Sequence, residues 1–359
     1  MIIQKDRIPV KDVLLFGFLP GALKNFVYRL KGYKIGKKVS IGFGSVICGD
    51  TVTVGDYTQM GFFTIIRGKN ITIGSHVNIG SATFLDTPHI EIGDDTKINE
   101  QVFVGGLQFP DSKFVLGRNC LVMQMSFINP ARSIIVGDNS GIGGHCLLFG
   151  HSSYQSQLEG YPVEFDSIEI GDNVAITWRV FLLPGTKIGD GAVIGPNSLV
   201  RGAIPPKSLA IGFPARIVSK PPDFPKLLTE AERVEILQNI VAEMIKFFEG
   251  SSLTCSGNSD RYEITRLTRK LWFQKKKTWR LRIEYEAIDE NKIPESYKTM
   301  DVFLSLKEIP KAIRRKLTAM NVMWIDIEKK EQPLFWNDLG DEVVLFLKRY
   351  GVKFFRVEE

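Results

Sequence analysis

From Ile35 to Val200 an aliphatic residue returns at every sixth position, most often followed by glycine. Ile35-Gly36 and Ile41-Gly42 lead to Ile47; after a slip of one residue come Val54-Gly55, Met60-Gly61 and Ile66, then Ile73-Gly74, Ile79-Gly80 and Leu85. The pattern continues through Ile92-Gly93, Leu116-Gly117, Val136-Gly137 and Ile170-Gly171 to Ile188-Gly189, Ile194-Gly195 and Val200. An amphipathic helix would repeat near 3.6 residues and an isolated strand would alternate, so neither explains a sustained six. Three hexads closing one triangular turn do explain it. The aliphatic residue points inward and stacks on its counterparts, while glycine or Asn/Asp takes the corner conformation. The spacing therefore predicts a parallel β-helix prism. Asp56, Asp94, Asp138-Asn139, Asp172-Asn173 and Asp190 recur just after the glycine, where short polar side chains cap a corner.

The repeat is broken twice, by Gly106 to Val115 and by Gly150 to Ser167, and the second break opens with Gly150-His151-Ser152. The hexads on either side agree in register, so the second break reads as an inserted loop on an intact scaffold. The 33 glycines fall at fixed spacing rather than in clusters, which argues for a repeat and against disorder. A net charge of +6, spread along 359 residues, gives only weak support for nucleic acid or a membrane surface and is equally compatible with anionic small ligands. Cys48, Cys120, Cys146 and Cys255 lie far apart without CxxC spacing, the usage of a reducing compartment, and a cytoplasmic protein is expected. The start, Met1 to Lys11, is too polar for a secretory signal, and the apolar run Val13 to Leu23 is too short to span a bilayer and contains Pro20. Phe16, Phe18, Leu19, Phe26 and Val27 alternate with Lys24, Arg29 and Lys31. That pattern is read first as a helix capping the first coil, with a helix lying at a membrane interface as the alternative.

The hexads, together with Ile204-Pro205-Pro206-Lys207-Ser208-Leu209-Ala210-Ile211-Gly212-Phe213-Pro214-Ala215-Arg216, resemble the hexapeptide-repeat acyltransferases, in particular the maltose/galactoside and polysaccharide O-acetyltransferase branch. The resemblance implies a left-handed parallel β-helix, a homotrimer, and active sites in clefts between neighbouring prisms, with acetyl-CoA or another acyl-CoA along the last coils. The fold expected is mainly β. An N-terminal helical cap spans residues 1–34, the β-helix 35–220, a linker and amphipathic helix 221–250, and a small α/β or α+β module 251–359.

Acyl transfer from a thioester to a hydroxyl needs a base for the hydroxyl proton and a donor for the developing oxyanion, and histidine suits the first task. His151 stands at the start of the family's acceptor loop, where the resemblance places the catalytic histidine. It falls about two residues closer to the preceding aliphatic residue than the family pattern has it. His145, one hexad earlier in Gly143-Gly144-His145-Cys146, is a second acceptor-site residue or an interface residue. Asn129 falls near a family position that contacts the acceptor, and a corner asparagine is the alternative. Glu159, Glu164 and Asp166 are the carboxylates that could orient the imidazole. For the cofactor, Arg216 follows Pro214-Ala215 as the family's basic residue does, with Lys220 just beyond. Arg201 stands where the family has threonine followed by lysine, and Trp178 replaces a small residue at the coil edge, placed to stack on adenine or to obstruct it.

Thr229 with Glu232 marks a capped helix to Glu249, with Ile236, Ile240, Met244 and Phe247 as its apolar stripe. A polar stretch, Gly250 to Asp260, follows. Strands are expected at Trp279 to Glu286, Asp301 to Leu306, Val322 to Ile327 and Val352 to Val357, with helices at Pro310 to Met320 and Leu339 to Tyr350. Lys275-Lys276-Lys277 and Arg314-Arg315-Lys316 are basic runs of the solvated kind. The leading expectation is an acyl-CoA-dependent O-acetyltransferase acting on a sugar or glycan acceptor, without nucleic acid or metal and with peripheral membrane contact left open. N-acylation of a nucleotide-linked amino sugar stays open beside it, as does a non-catalytic scaffold whose C-terminal module binds a partner. A zinc hydrase of the gamma carbonic anhydrase type would need closer histidine spacing than His145 to His151, with His76 and His89 several coils away.

Overall fold

The structure, a computed structural model, describes residues 8–270, 273–288 and 299–358. The start of the chain through Arg7 lies outside them. The chain forms two compact units that divide between Leu227 and Leu228.

The first unit is a three-faced prism of parallel strands. Its first face has nine strands, from Lys34–Ile35 to Ala203–Ile204; its second has ten, from Ser40–Ile41 to Ala215–Ser219; its third has eight, from Val46–Cys48 to Leu199–Val200. Every neighbouring pair in the faces is parallel except the last, where Ala215–Ser219 returns antiparallel along Leu209–Gly212. The aliphatic hexad residues point inward and stack in register. Ile73, Ile92, Leu116, Val136 and Ile170 form one such column, each at most 3% exposed. Burying a side chain of this size contributes roughly 1.5–3 kcal/mol, so the column supplies much of the prism's stability.

The corners correct one expectation. Glycine after the aliphatic residue does not take the corner conformation; the left-handed residue sits two places later, on Lys38, Tyr57, His76, Asp95, Asn119, Asn139 and Asn173, with φ between 53 and 59°. The glycine is required for close approach instead. A Cβ on Gly36, Gly74, Gly117, Gly137 or Gly171 would lie closer than 3.0 Å to the aspartate one coil along. Those aspartates do cap the corners. Asp56 accepts from the Lys37 N–H at 2.7 Å, Asp94 from Ser75 at 2.6 Å, Asp138 from Arg118 at 2.6 Å, Asp172 from Asp138 at 2.7 Å and Asp190 from Asp172 at 2.8 Å. Each carboxylate thus satisfies an amide that the turn takes out of the ladder.

The open edge of the first coil is closed by side chains of helix Gly21–Leu30. Lys24, fully buried, donates from Nζ to the carbonyls of Gly42 and Ser45; Asn25 donates to Val39; Arg29 donates to Ile35 and Gly36. The Tyr28 hydroxyl accepts from the Ile47 N–H at 3.0 Å. An unpaired strand edge would otherwise carry unsatisfied carbonyls into a buried contact.

The second unit is a seven-stranded sheet in sequential order with helices Glu230–Gly250, Lys311–Ala319 and Asp338–Leu347. Thr229 and Glu232 form a reciprocal capping box. The buried stripe of the first helix is Leu237, Val241, Met244 and Phe248, offset from the stripe read in the sequence; Ile236 and Phe247 are exposed. Both stripes fit the helical period, and the sheet decides between them. The polar stretch after Gly250 is in fact strand Leu253–Asn258, antiparallel to Arg261–Lys270, which pairs with Phe273–Glu284. These strands lack apolar alternation because much of their length faces water. Arg314 is 3% exposed and ion-pairs with Asp326 at 2.7 Å and with Glu331, an internal network of this unit. Among the described residues no helix is long and apolar enough to cross a membrane.

The corner geometry makes a paired prediction. Gly137→Ala should destabilise the prism by about 1–3 kcal/mol, because the new methyl overlaps the Asp172 carboxylate. Gly141→Ala, which meets nothing within 4 Å, should stay within about 0.5 kcal/mol in the same urea titration.

Candidate active site

Both breaks in the repeat fall at the same corner, between the third face and the first. The earlier break is shorter than it reads in the sequence, since Lys113–Leu116 already pairs with His89–Ile92. It leaves the prism after Phe103–Val104 and returns at Lys113; the later one leaves after Leu147–Phe149 and returns at Ile168. Between them lies the short corner Pro130 to Ser133, carried on strand Phe127–Asn129. Three successive corners are therefore stacked on one edge, and they touch. Phe109 of the earlier loop meets Phe165 of the later one edge-on at 5.3 Å, and the Arg132 guanidinium lies 3.9 Å over Phe109.

His151 occupies the middle of this edge. With Ser152 it forms a two-residue strand antiparallel to Glu164–Phe165, which turns the inserted loop into a hairpin. Its imidazole lies between Phe149, at 5.8 Å between ring centres, and Phe165, stacked at 6.3 Å. Phe149 in turn belongs to a row of phenylalanines, with Phe127 at 5.4 Å, Phe103 at 4.9 Å from Phe127, Phe84 at 5.1 Å from Phe103, and Phe181 edge-on at 5.5 Å on the other side. Burial among these rings pushes the His151 pKa below its usual 6.5, because the charged form loses hydration that aromatic edges do not replace. Its Nδ1 is buried with no hydrogen-bond partner.

None of the three candidate carboxylates fills that position. Glu164 ion-pairs with Arg201, Asp166 accepts from the Ser167 N–H at 2.7 Å, and Glu159 is exposed on the 3-10 turn Gln157–Glu159. Arg201 thus braces the hairpin through Glu164 in this chain. Asn129, only 4% exposed, lies one coil below; its backbone carbonyl accepts from the Gly150 N–H at 2.9 Å, and its side-chain Oδ1 is also buried without a partner. Two orphaned polar atoms at one corner are a costly arrangement that ordinary packing avoids.

His145 and Trp178 sit elsewhere. Both belong to the corner between the second and third faces, where His145 takes the left-handed conformation with φ 57°. Trp178, half exposed, lies over Gly144 with its ring centre 6.1 Å from that of His145. The third face separates this pair from His151, so a single chain does not bring the two histidines together. Arg216 and Lys220 are exposed beyond the last coil, with no carboxylate partner among the described residues. The sequence did not single out Phe109, Arg132, Phe149 or Phe165. The signal was there, in aromatic residues placed beside both breaks.

His76 stacks on Tyr57 at 5.0 Å and His89 lies 3.1 Å from Asn70. Among the described residues no three His, Cys, Asp or Glu side chains gather in a way that would hold a metal. A hollow of about 520 Å³ lies in the C-terminal unit, but its carboxylate, Glu263, is ion-paired with Arg280, and Arg282 pairs with Glu284. The corner around His151 is the stronger candidate on its chemistry.

Against known proteins, no protein-family model matches the chain. Among curated proteins it is 34% identical over 109 residues to a Schizosaccharomyces pombe protein assigned to the acetyltransferases, covering 30% of this chain and 50% of that one. It is 41% identical over 76 residues to Escherichia coli K12 WbbJ, assigned as a lipopolysaccharide-biosynthesis O-acetyltransferase, covering 20% and 39%. The chain is similar to acetyltransferases. It spans half or less of the length of these relatives. Among solved structures, a hexapeptide-repeat acetyltransferase of Vibrio cholerae complexed with acetyl coenzyme A covers 59% of this chain and 84% of its own, at 20% identity and a TM-score of 0.25, too low to bear on activity.

The lowered basicity of His151 is open to measurement. Its imidazole should titrate below 6.5 by NMR, and Phe165→Ala should move it back upward by admitting water. Between the lowered value and 6.5 the unfolded chain binds the proton more readily than the folded one. Stability contributed by the site should therefore fall as pH drops through that window and stay level above it.

Proposed function

We propose that this protein transfers an acetyl or other short acyl group from acyl-CoA to a sugar hydroxyl, with His151 as general base. The observation that carries the proposal is the buried, unpartnered Nδ1 of an imidazole held mainly neutral at the opening of an inserted corner loop. A base must be unprotonated to act, and burial provides that at neutral pH. The aromatic walls Phe149 and Phe165 exclude water that would compete as acceptor. As the acceptor oxygen attacks the thioester carbonyl, the imidazole takes the hydroxyl proton; the C–S bond then breaks and the imidazolium returns that proton to the departing CoA thiolate. The unpartnered Oδ1 of Asn129 would accept a hydrogen bond from the acceptor. The likeness to acetyltransferases supports the reaction class, and the one to WbbJ supports a glycan acceptor in surface-polysaccharide biosynthesis.

Acyl-CoA would lie along the corner that carries Trp178 and His145, with Arg216 and Lys220 taking its phosphates. That corner stands across the third face from His151, so a complete site needs the Trp178 edge of one copy against the His151 edge of another. A homotrimer of left-handed prisms, as the resemblance implies, provides that juxtaposition. Exposed Phe43, Phe62 and Phe63 on the Trp178 edge favour coverage by a neighbouring copy.

Incubation with acetyl-CoA and a panel of sugars, reading release of free thiol, tests the reading. His151→Ala should lower kcat by about 10²- to 10⁴-fold, and full activity in that variant would overturn the assignment. Arg216→Ala should raise KM for acetyl-CoA with kcat nearly unchanged. A product labile to mild base would be an ester, whereas a stable one would mean N-acylation.

A further inference from the structure

Helix Gly21–Leu30 is amphipathic the wrong way round for a helix on a protein core. The side it turns to the prism carries Lys24 and Tyr28, 0% and 1% exposed, spent on the open carbonyls and amides of the first coil. The side it turns away carries Leu23, Phe26 and Leu30, at spacings of three and four, with Phe26 57% and Leu30 73% exposed. The turn before it continues the same surface: Leu14 and Leu15 are 68% and 65% exposed, and Phe18 stands out beside them. Scattered surface leucines need no explanation, but a contiguous apolar face this size on a segment of about twenty residues does.

The charges around that face are almost all positive. Lys11, Lys34, Lys37 and Lys38 are exposed with no acidic partner among the described residues, while the segment's one described carboxylate, Asp12, is held by Lys31 at 3.3 Å. Outward leucine and phenylalanine flanked by lysine is the chemistry of a helix lying in the interface of an anionic bilayer. The placement favours a bilayer over a second copy. The helix closes the end of the prism, and neighbouring prisms standing side by side would cover its flanks and leave its end bare.

We propose that this end face docks the protein on a membrane rich in anionic lipid, with Leu14, Leu15, Phe26 and Leu30 entering the interface and the lysines meeting lipid phosphates. The docking stands independently of acyl transfer. If both hold, the acceptor is presented near a bilayer surface, as a glycan carried on a lipid would be.

Flotation of the full chain with vesicles decides the matter. Vesicles of phosphatidylcholine and phosphatidylglycerol in equal parts should carry the protein at low salt, and phosphatidylcholine alone should not. The variant Leu14→Ser/Phe26→Ser/Leu30→Ser alters only outward side chains and should keep its unfolding midpoint and thiol-release activity while losing at least about tenfold in vesicle partition. Failure of the wild type to float with the anionic vesicles, or undiminished flotation of the variant, would overturn the proposal. So would light scattering that shows the variant falling to a smaller assembly without any change in lipid binding, because the face would then be an interface between copies.

Discussion

The prism rests on the hydrogen-bond ladder that joins each coil to the next. Amides of one coil donate to carbonyls of the following coil on all three faces, as Gly36 to Val54 at 2.8 Å, Gly42 to Met60 at 2.8 Å and Val46 to Thr64 at 3.0 Å show in the first turn. The ladder holds neighbouring coils about 4.8 Å apart, which lets the inward aliphatic columns pack without voids. It also dictates where the chain tolerates change. A face residue cannot be added without breaking register for every coil above it, whereas a corner can be lengthened at little cost in loop entropy. Both insertions accordingly fall at corners, and at the same one.

That shared corner gathers two of the unpaired buried polar atoms of the prism, the others described being Asn25 Oδ1 and Asn99 Oδ1. Along most of the coils serine and threonine hydroxyls bond to the next coil, and aspartates cap the turns. Around His151 the pairing stops. Phe149 and Phe165 flank an imidazole whose Nδ1 has no partner, and Asn129 below it leaves Oδ1 open. A scaffold this regular can carry such a local cost because the ladder and the aliphatic columns over-determine the backbone on both sides. Arg201, braced against Glu164, fixes the hairpin from two coils along, so the loop is held at both its root and its far strand.

The two ends of the ladder are solved differently. At the last coil the chain turns back as an antiparallel strand, with Ala210 opposite Ile217, and covers part of the second face's edge. At the first coil the edge is met by side chains, with Lys24, Asn25 and Arg29 reaching carbonyls that no earlier coil can satisfy. Using the polar residues of the helix inward leaves its apolar residues outward. The exposed face is thus a direct consequence of how the open edge is closed.

Much of the fold could be read from the chain alone, because a period of six with inward aliphatic residues has only one compact solution. The aspartate caps were legible for the same reason, each standing at a fixed offset from a glycine. The glycines themselves were misread. Local propensity suggests a left-handed turn, and only stacked coils reveal that an aspartate of the next coil leaves no room for a Cβ. The strands from Leu253 to Lys270 escaped notice because they face water and lack apolar alternation. His151 was legible as an interruption, but its setting was not. Phe109, Asn129 and Phe165 are far apart in the chain and meet only because the prism returns to the same corner on every turn. Likewise the sequence places His145 one hexad before His151, and the triangular cross-section sets the two at opposite ends of one face. Sequence determines the repeat, since periodicity is local and cumulative; tertiary structure decides which corners coincide, since that depends on how the coils stack.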